Sequence, residues 1–136
     1  MAKIILNTSK HDEIINLTEE IQEIVTKSKI ETGICSVFTI HATGAIIINE
    51  NYDKGLCRDI IKALNTIVPM HDKWEHDKVD NNAASHIKAA ILGPSETIQI
   101  KKNRLQLGQW QDISFVELDG PRVQRKIFVE VIKSEM

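Results

Sequence analysis

Apolar and polar positions at the start of the chain form short runs separated by a polar turn. Lys3–Leu6 and Glu13–Leu17 are brief and rich in isoleucine, and the Asn7–Asp12 segment between them is polar. Short β-branched runs bounded by polar residues are typical of strands. The pattern therefore predicts two strands joined by a turn.

The period then changes from that of a strand to that of a helix. We expect Thr18 to be the N-cap, because a threonine hydroxyl can accept a hydrogen bond from a free backbone N–H of the first turn. Glu19 and Glu20 follow where the helix dipole favours negative charge. The apolar residues that recur at helical spacing are Ile21, Ile24 and Val25. This helix is expected to end near Lys29.

The middle of the chain predicts two buried strands followed by two helices. Ile34–Ile40 and Ala45–Ile48 are almost continuously apolar, as in strands covered on both faces. Asp53–Val68 has a helical period and is followed by a proline, and Asn82–Leu92 is the third predicted helix. The residues that we expect this third helix to bury are Ala83, Ile87, Ala90 and Ile91. Pro69–Asn81 lacks a clear period and is a candidate functional loop.

The C-terminal part of the chain returns to the alternation of strands. Glu96–Lys101 predicts one strand and the segment from Gln111 to Glu117 another. Gly120 and Pro121 predict the turn into a last strand. The residues expected to share its apolar face are Val123, Ile127, Val129 and Val131.

The order of these elements predicts the fold class. Strands, one helix, strands, two helices and further strands do not form a repeated βαβ unit. We therefore expect an α+β fold, a mainly antiparallel β-sheet sandwich with about three helices. A chain of 136 residues has room for one hydrophobic core, which predicts a single domain over residues 1–136.

Composition narrows the class of partner. A formal net charge of -2 gives no electrostatic basis for binding nucleic acid or an anionic membrane. No apolar run approaches the roughly 20 residues of a membrane-spanning helix, and the start of the chain is too short and too soon polar for a signal sequence. We expect a cytoplasmic protein. Cys35 and Cys57 form no CxxC pair, and their apolar surroundings predict buried free thiols.

Three histidines are candidate metal ligands. His41 follows an apolar strand, His76 lies in the candidate loop among several aspartates, and His86 lies on the third predicted helix. A catalytic zinc commonly takes three protein ligands and keeps one position open. No HExxH pair is present, so for each histidine a hydrogen-bonded structural role is the alternative. His11 and His71 carry no further signal.

Carboxylates form a second candidate group. Glu50 follows an apolar strand, and Glu117 and Asp119 continue the face of a strand that is otherwise apolar. A carboxylate in such a position needs a partner, and its pKa is often raised into a range useful for proton transfer. The alternative for Glu117 is an ion pair with Arg122 or Arg125.

Aromatic and basic residues give weaker signals. Trp110 begins a predicted strand, where a tryptophan serves either as a core or interface anchor or as a stacking platform. Arg104 and Arg122 can bind phosphate, although no glycine-rich phosphate loop accompanies them.

Several motifs together resemble a known family. They are DNNAASHIKA at residues 80–89, LQLGQWQ at residues 105–111, ELDGPR at residues 117–122 and the upstream TIH at residues 39–41. Taken together in their order along the chain, these motifs resemble those of the YjbQ-like family, known as secondary thiamine-phosphate synthases. The likeness covers nearly the whole chain and is strongest from Phe38 to Val131.

This resemblance implies a compact α+β subunit that assembles as a homotrimer with metal-containing pockets at subunit boundaries. By motif, the implied metal ligands are His41, His76 and His86. The metal is expected to be zinc, and magnesium is possible with a diphosphate substrate. The residues implied in catalysis are Glu50, Glu117, Asp119 and Asn82. The residues implied in substrate binding are Arg122, Arg104, Trp110 and Gln111.

The function that the resemblance implies is a metal-dependent transferase reaction on a small phosphorylated molecule. It joins hydroxymethylpyrimidine diphosphate to thiazole phosphate and releases pyrophosphate, either as the main role or as a secondary activity. Two alternatives remain at this point. One is metal-assisted hydrolysis of a small phosphoester with Glu117 or Glu50 as the base, and the other is a non-catalytic trimeric protein that binds a metal or ligand.

Overall fold

This computed structural model describes residues 1–135 of the chain. These residues contain eight strands, three α-helices and one 3-10 helix. The strands are β1 (Ala2–Leu6), β2 (Glu13–Asn16), β3 (Thr32–Thr39), β4 (Gly44–Asn49), β5 (Ser95–Lys101), β6 (Arg104–Leu105), β7 (Asp112–Glu117) and β8 (Arg125–Lys133). The helices are α1 (Thr18–Ser28), α2 (Lys54–Ile67) and α3 (Ala83–Leu92), and the 3-10 helix is Glu75–Lys78. The strand pairs are antiparallel, which confirms the predicted α+β class.

The strands form two sheets that face each other. The larger sheet has five strands in the order β1-β8-β3-β5-β6, and the smaller has three in the order β2-β7-β4. Ile113 and Phe115 of β7 enter the core shared with the larger sheet and α1. Val116 alternates to the opposite face, where it packs against Ala89 of α3. The smaller sheet is therefore covered on both faces, which explains why β7 is buried along most of its length.

The predicted helix start at Thr18 is wrong by one residue. Leu17 occupies the N-cap position, and Thr18 is the first helical residue. The Thr18 hydroxyl accepts a hydrogen bond from the Ile113 backbone N–H at 2.9 Å and donates one to the Asp112 carboxylate at 3.0 Å. The side chain therefore fixes α1 against β7, a contact between segments far apart in the chain.

The buried face predicted for α3 is also wrong in part. The residues that the helix buries are Ala83, Ala84, Ser85, Lys88 and Ala89. Ile91 is 60% exposed, and Ala90 is exposed beside it. Small side chains let the helix lie close to the smaller sheet, and Ile91 is left on the exposed face. Of the four residues predicted to be buried, Ala83 is buried and Ile87 half-buried, whereas Ala90 and Ile91 are exposed.

Other sequence predictions have simpler outcomes. Cys35 and Cys57 are free and buried, as expected. Val123 is 78% exposed and does not belong to the predicted apolar face, because β8 begins only after Gln124, whose φ of 57° interrupts extended backbone. Gly120 and Pro121 lie in the connection between β7 and β8, as predicted. Within the described residues, the helices are too short or too polar to cross a bilayer.

The approach of β3 to β8 gives a testable prediction at Gly33. A Cβ on Gly33 would lie 2.0 Å from the Ile132 carbonyl oxygen, which belongs to the paired backbone and cannot move alone. We expect Gly33→Ala to lower the free energy of unfolding by about 1–3 kcal/mol or more, measured by urea titration.

The matched control is Gly108→Ala, where the added Cβ meets only the flexible Gln111 side chain, at 3.3 Å. Its effect should stay within about 0.5 kcal/mol. Equal stability of Gly33→Ala and the wild type would contradict the described pairing of β3 and β8.

Candidate functional site

A buried ion pair joins the two sheets at one end of the core. Alternation along β7 directs Glu117 toward the larger sheet, and the carboxylate is 0% exposed. Arg125 at the start of β8 meets it with two hydrogen bonds, Nε to Oε1 at 2.9 Å and Nη2 to Oε2 at 2.5 Å. Nη2 of Arg125 also donates to the Thr43 hydroxyl at 2.9 Å. Of the alternatives for Glu117, the ion pair with Arg125 is the one formed.

The surroundings of Glu117 determine its protonation. Burial alone would raise the pKa of this carboxyl group, but hydrogen bonds from Arg125, the Thr8 hydroxyl and the Asp119 backbone N–H outweigh burial and lower the pKa below its usual value. The expectation of a raised pKa is therefore wrong for Glu117. An ionised, fully paired carboxylate is a poor proton acceptor.

His41 lies beside this ion pair. Its Nε2 accepts a hydrogen bond from the Lys126 backbone N–H at 2.9 Å. Burial and the charge of Arg125 lower the pKa of His41, and Glu117 partly opposes them. The ring is therefore neutral near neutral pH, but the lone pair of Nε2 is used within the chain. Metal binding through Nε2 of His41 would require this hydrogen bond to break.

A second polar cluster surrounds Asp119. Nδ2 of Asn82 donates to Oδ2 of Asp119 at 2.8 Å, and Nη2 of Arg122 donates to the same oxygen at 2.9 Å. Burial would raise the pKa of Asp119, but these two donors and the charges of Arg122 and His11 lower it. Thr8 connects the two clusters, because its hydroxyl donates to Glu117 at 2.7 Å and accepts from the Arg122 backbone N–H at 2.8 Å.

The start of α3 leaves the side chain of Asn82 available. Asparagine at an N-cap usually accepts from the backbone of the first turn, but Asn82 makes no such bond. Asp77 takes that role, since its carboxylate accepts from the Ala83 N–H at 3.0 Å. Because the Asp119 carboxylate can only accept, the Asn82 amide must donate to it, so its carbonyl oxygen faces elsewhere.

His76 and His86 are brought together next to this helix start. Their rings meet edge to face, with centroids 4.9 Å apart. Among the described residues, two buried side-chain atoms lack a hydrogen-bond partner, Nε2 of His76 and Oδ1 of Asn82. Nε2 of His76 lies 3.7 Å from the Asp80 carboxylate, which is too long for a hydrogen bond.

A cleft of about 590 Å³ opens beside Asp119. It is lined by His11, Met70, His71, Asp80, Asn81, Asn82, Asp119 and Arg122. The candidate loop before α3 therefore forms one wall, and the β7–β8 connection together with the β1–β2 turn forms the other. The lining holds an arginine and two imidazoles, groups that suit a polar, anionic ligand, together with the two carboxylates of Asp80 and Asp119.

The remaining predicted residues lie apart from this cleft. Arg104 and Gln111 line a different groove of about 550 Å³ between α1 and the segment around β6. Trp110 is 57% exposed and pairs with Tyr52 at a centroid distance of 6.5 Å, so it is not a core residue. Glu50 is half-buried just after β4. Within the described residues of one chain, these four predicted residues do not lie in the same site as His76 and His86.

Sequence reasoning missed one residue that lines the cleft and one buried cation on α3. His11 lines it, but it lies more than a hundred residues from Asp119, and sequence spacing gives no sign of that contact. Lys88 is 1% exposed on α3. The sequence did carry a sign that Lys88 is buried, because Lys88 lies four residues after Ala84 and next to Ala89 on a stripe of small residues.

The described residues of one chain form no complete metal site. Within residues 1–135, no three His, Cys, Asp or Glu side chains come together to hold a metal ion. His76 and His86 offer two imidazoles in contact, and the free amide oxygen of Asn82 belongs to the same segment. This donor set fits zinc, but it lacks the third strong ligand that a catalytic zinc commonly has.

Comparison with known proteins identifies the family. A model described as "UPF0047 protein YjbQ-like" matches residues 2–134. The chain belongs to this family. A UPF0047 protein of Methanothermobacter thermautotrophicus is 43% identical over 126 residues, which are 93% of this chain and 87% of that protein. The resemblance stated from the motifs is confirmed.

Solved structures of family members confirm the fold. A YbjQ-like protein of unknown function from Sulfolobus solfataricus P2 has a TM-score of 0.95 and 36% identity, over 98% of this chain and 96% of that one. An uncharacterized conserved YjbQ/UPF0047 protein from Clostridium acetobutylicum has a TM-score of 0.93 and 39% identity, over 97% of this chain and 100% of that one. The family and its fold are therefore shown, and these descriptions name no reaction.

The Glu117–Arg125 pair gives a prediction for stability. Glu117→Gln leaves a buried guanidinium without a charged partner, so we expect the free energy of unfolding at neutral pH to fall by about 3–5 kcal/mol. The control is Glu23→Gln, which removes an exposed pair with Lys27 and should cost at most about 0.5 kcal/mol.

The lowered pKa of Glu117 also determines how the stability difference between the wild type and Glu117→Gln changes with pH. The Glu117 carboxylate takes up a proton at a higher pH in the unfolded chain than in the folded chain. The stabilisation by its ion pair is therefore complete above the unfolded pKa of about 4.3. It is lost as the pH falls through the folded pKa. The difference in unfolding free energy between the wild type and Glu117→Gln should therefore shrink on acidification, and a constant difference would contradict the lowered pKa.

Proposed function

We propose that this protein is a metal-dependent transferase of phosphorylated small molecules, similar to thiamine-phosphate synthase. The reaction would join hydroxymethylpyrimidine diphosphate to thiazole phosphate. The thiazole nitrogen forms a bond to the methylene carbon of the pyrimidine, and the bond from that carbon to the diphosphate oxygen breaks, so that pyrophosphate leaves. The motif resemblance suggests this reaction, and the features of the cleft support a phosphorylated substrate.

One observation carries the proposal of a metal. Buried polar atoms normally have a hydrogen-bond partner, and an unpartnered one requires an explanation such as a bound ion. Nε2 of His76 and Oδ1 of Asn82 are both unpartnered, and His76 is in contact with His86. Imidazole nitrogen favours zinc, although magnesium is the usual partner of a diphosphate.

The chain's own residues have separable roles in this proposal. When bound, the metal supplies positive charge to the leaving diphosphate. Arg122 is half-exposed at the cleft and can present its free N–H groups to phosphate oxygens while Asp119 holds its Nη2. Asn82 holds Asp119 from the other side. Because Glu117 is ionised and fully paired, its role is to fix Arg125 and Thr8 rather than to accept a proton.

A homotrimer with sites at subunit boundaries would complete the metal site. Among residues 1–135 of one chain no third ligand joins His76 and His86, so we propose that a neighbouring subunit supplies it, with His41 as the candidate implied by the motifs. Because Nε2 of His41 accepts from Lys126, ligation would use Nδ1. Ala90 and Ile91 form an exposed apolar strip one turn after His86, and Ile67 of α2 is 71% exposed. Such surfaces favour contact with another subunit. Buried reduced thiols are compatible with the cytoplasmic location that composition suggests.

Metal content tests whether His76 and His86 bind a metal ion. We expect about one zinc per chain in the purified protein and a fall in zinc affinity of more than about tenfold in His76→Ala and in His86→Ala. Lys78→Ala is the matched control, because Lys78 is an exposed residue of the same 3-10 helix, lies outside the cleft lining and should leave the metal content unchanged. Full metal retention in both test variants, measured by mass spectrometry of the metal, would contradict the site.

Product analysis tests the reaction. Pyrophosphate and thiamine phosphate should form only when both precursors are present, whereas phosphate release from one precursor alone would indicate the hydrolase alternative. Arg122→Gln should lower kcat/KM by about 10–100-fold, because it removes charged hydrogen bonds to the phosphate, and Arg58→Gln on the exposed side of α2 should not. Absence of turnover in the metal-loaded wild type would favour the non-catalytic alternative.

Light scattering tests the assembly. The wild type should have about three times the mass of the 15.4 kDa chain. Ile91→Lys puts a charge into the apolar strip and should shift the population toward smaller species. A wild-type monomer at micromolar concentration would contradict shared sites.

A further inference from the structure

Lys88 is a buried cation that the proposed reaction does not use. It lies on α3 with 1% exposure, and its ammonium group donates to Oδ1 of Asn65 on α2. Lysine is almost never fully buried unless it is paired. Burial lowers the pKa of Lys88, and the more distant charge of Asp12 opposes this effect. Lys88 does not line the cleft, so it does not itself touch a ligand there.

The contact with Asn65 continues toward the cleft. Nδ2 of Asn65 donates to Oδ2 of Asp12 at 3.4 Å, and Nδ1 of His11 lies 3.2 Å from Oδ1 of Asp12. Because a carboxylate only accepts, Nδ1 of His11 must be the donor. The other ring nitrogen, Nε2, lies 3.8 Å from Oδ1 of Asp119. A polar chain therefore runs from α3 through α2 and the β1–β2 turn to the cleft wall.

The ammonium group selects one orientation of the Asn65 amide. An amide has one accepting and one donating end, and exchanging them would direct NH2 at the ammonium and the carbonyl oxygen at a carboxylate. Both contacts would then be repulsive. Lys88 thus directs the amide donor at Asp12. Packing α2 against α3 does not require this charge, since an apolar side chain of similar volume avoids the cost of desolvation.

We propose that Lys88 is a positioning residue of the cleft: it orients the Asn65 amide, which holds Asp12. Asp12 accepts from Nδ1–H of His11 and so fixes the ring in the cleft wall, where the Nε2 lone pair can accept a hydrogen bond from a protonated phosphate oxygen. The phosphate ligand rests on the proposed function, whereas the positioning of His11 does not.

Substitutions at Asn65 separate positioning from simple structural pairing. Asn65→Asp offers Lys88 a carboxylate, so the buried charge stays paired, but it removes the donor to Asp12 and adds repulsion. Asn65→Leu removes both contacts at similar volume. Lys88→Met removes the charge, and Lys62→Met on an exposed position of α2 is the matched control.

The direct measurement is the ring tautomer of His11, read from ¹⁵N NMR shifts at a pH where the ring is neutral. The wild type and Lys62→Met should show the Nδ1–H tautomer, and Asn65→Asp and Asn65→Leu should lose that preference while remaining folded. If Lys88→Met folds, it should behave like Asn65→Leu. Retention of the Nδ1–H tautomer in both Asn65 variants would overturn the proposal, even if Lys88→Met does not fold.

Calorimetric titration with inorganic phosphate gives the second measurement. Variants that lose the tautomer should bind phosphate up to roughly tenfold more weakly than the wild type, because the ring is no longer held with Nε2 as acceptor for the protonated oxygen of hydrogenphosphate. A changed tautomer with unchanged phosphate affinity would overturn the positioning role. If the wild type itself binds no phosphate, the proposed function fails, and the tautomer measurement alone then decides the role of Lys88.

Discussion

The ion pair between Glu117 and Arg125 is the contact on which the arrangement of the polar clusters depends. It joins β7 of the smaller sheet to β8 of the larger one at the end of an otherwise apolar core. Removing either charge alone would leave the other buried and unpaired, so the two sheets are held in one relative position. Thr8 extends this constraint to the backbone of Arg122 and hence to Asp119. The cleft wall is thus fixed by a pair that does not itself line the cleft.

The opposite wall depends on a division of tasks at the start of α3. Asp77 caps the helix, which leaves the Asn82 side chain to hold Asp119 and to present a free carbonyl oxygen. His76 reaches the same region from the 3-10 helix and contacts His86. An aperiodic loop and the first turn of a helix therefore place two unpartnered polar atoms, Nε2 of His76 and Oδ1 of Asn82, in the region beside the cleft. This combination is the physical basis of the proposed metal-dependent chemistry.

Much of the fold followed from local patterns, because a helical or strand period is a property of neighbouring residues. The three helices and the antiparallel strands were predictable for this reason. Contacts between distant segments were not. The Thr18 hydroxyl bonds to β7 rather than to its own helix, and Glu117 pairs with Arg125 rather than Arg122. Motifs identified His76, His86, Asn82 and Asp119, but spacing could not show that His41 bonds to Lys126 or that His11 reaches Asp119.

The proposed function depends most on the binding of one metal ion by His76 and His86. The most direct test is a crystal structure of the zinc-loaded protein with an anomalous difference map at the zinc absorption edge. We expect one peak per subunit with a nitrogen of each ring about 2.0–2.1 Å from it. A map in which both imidazoles bond only to water or protein, with zinc elsewhere or absent, would contradict the claim.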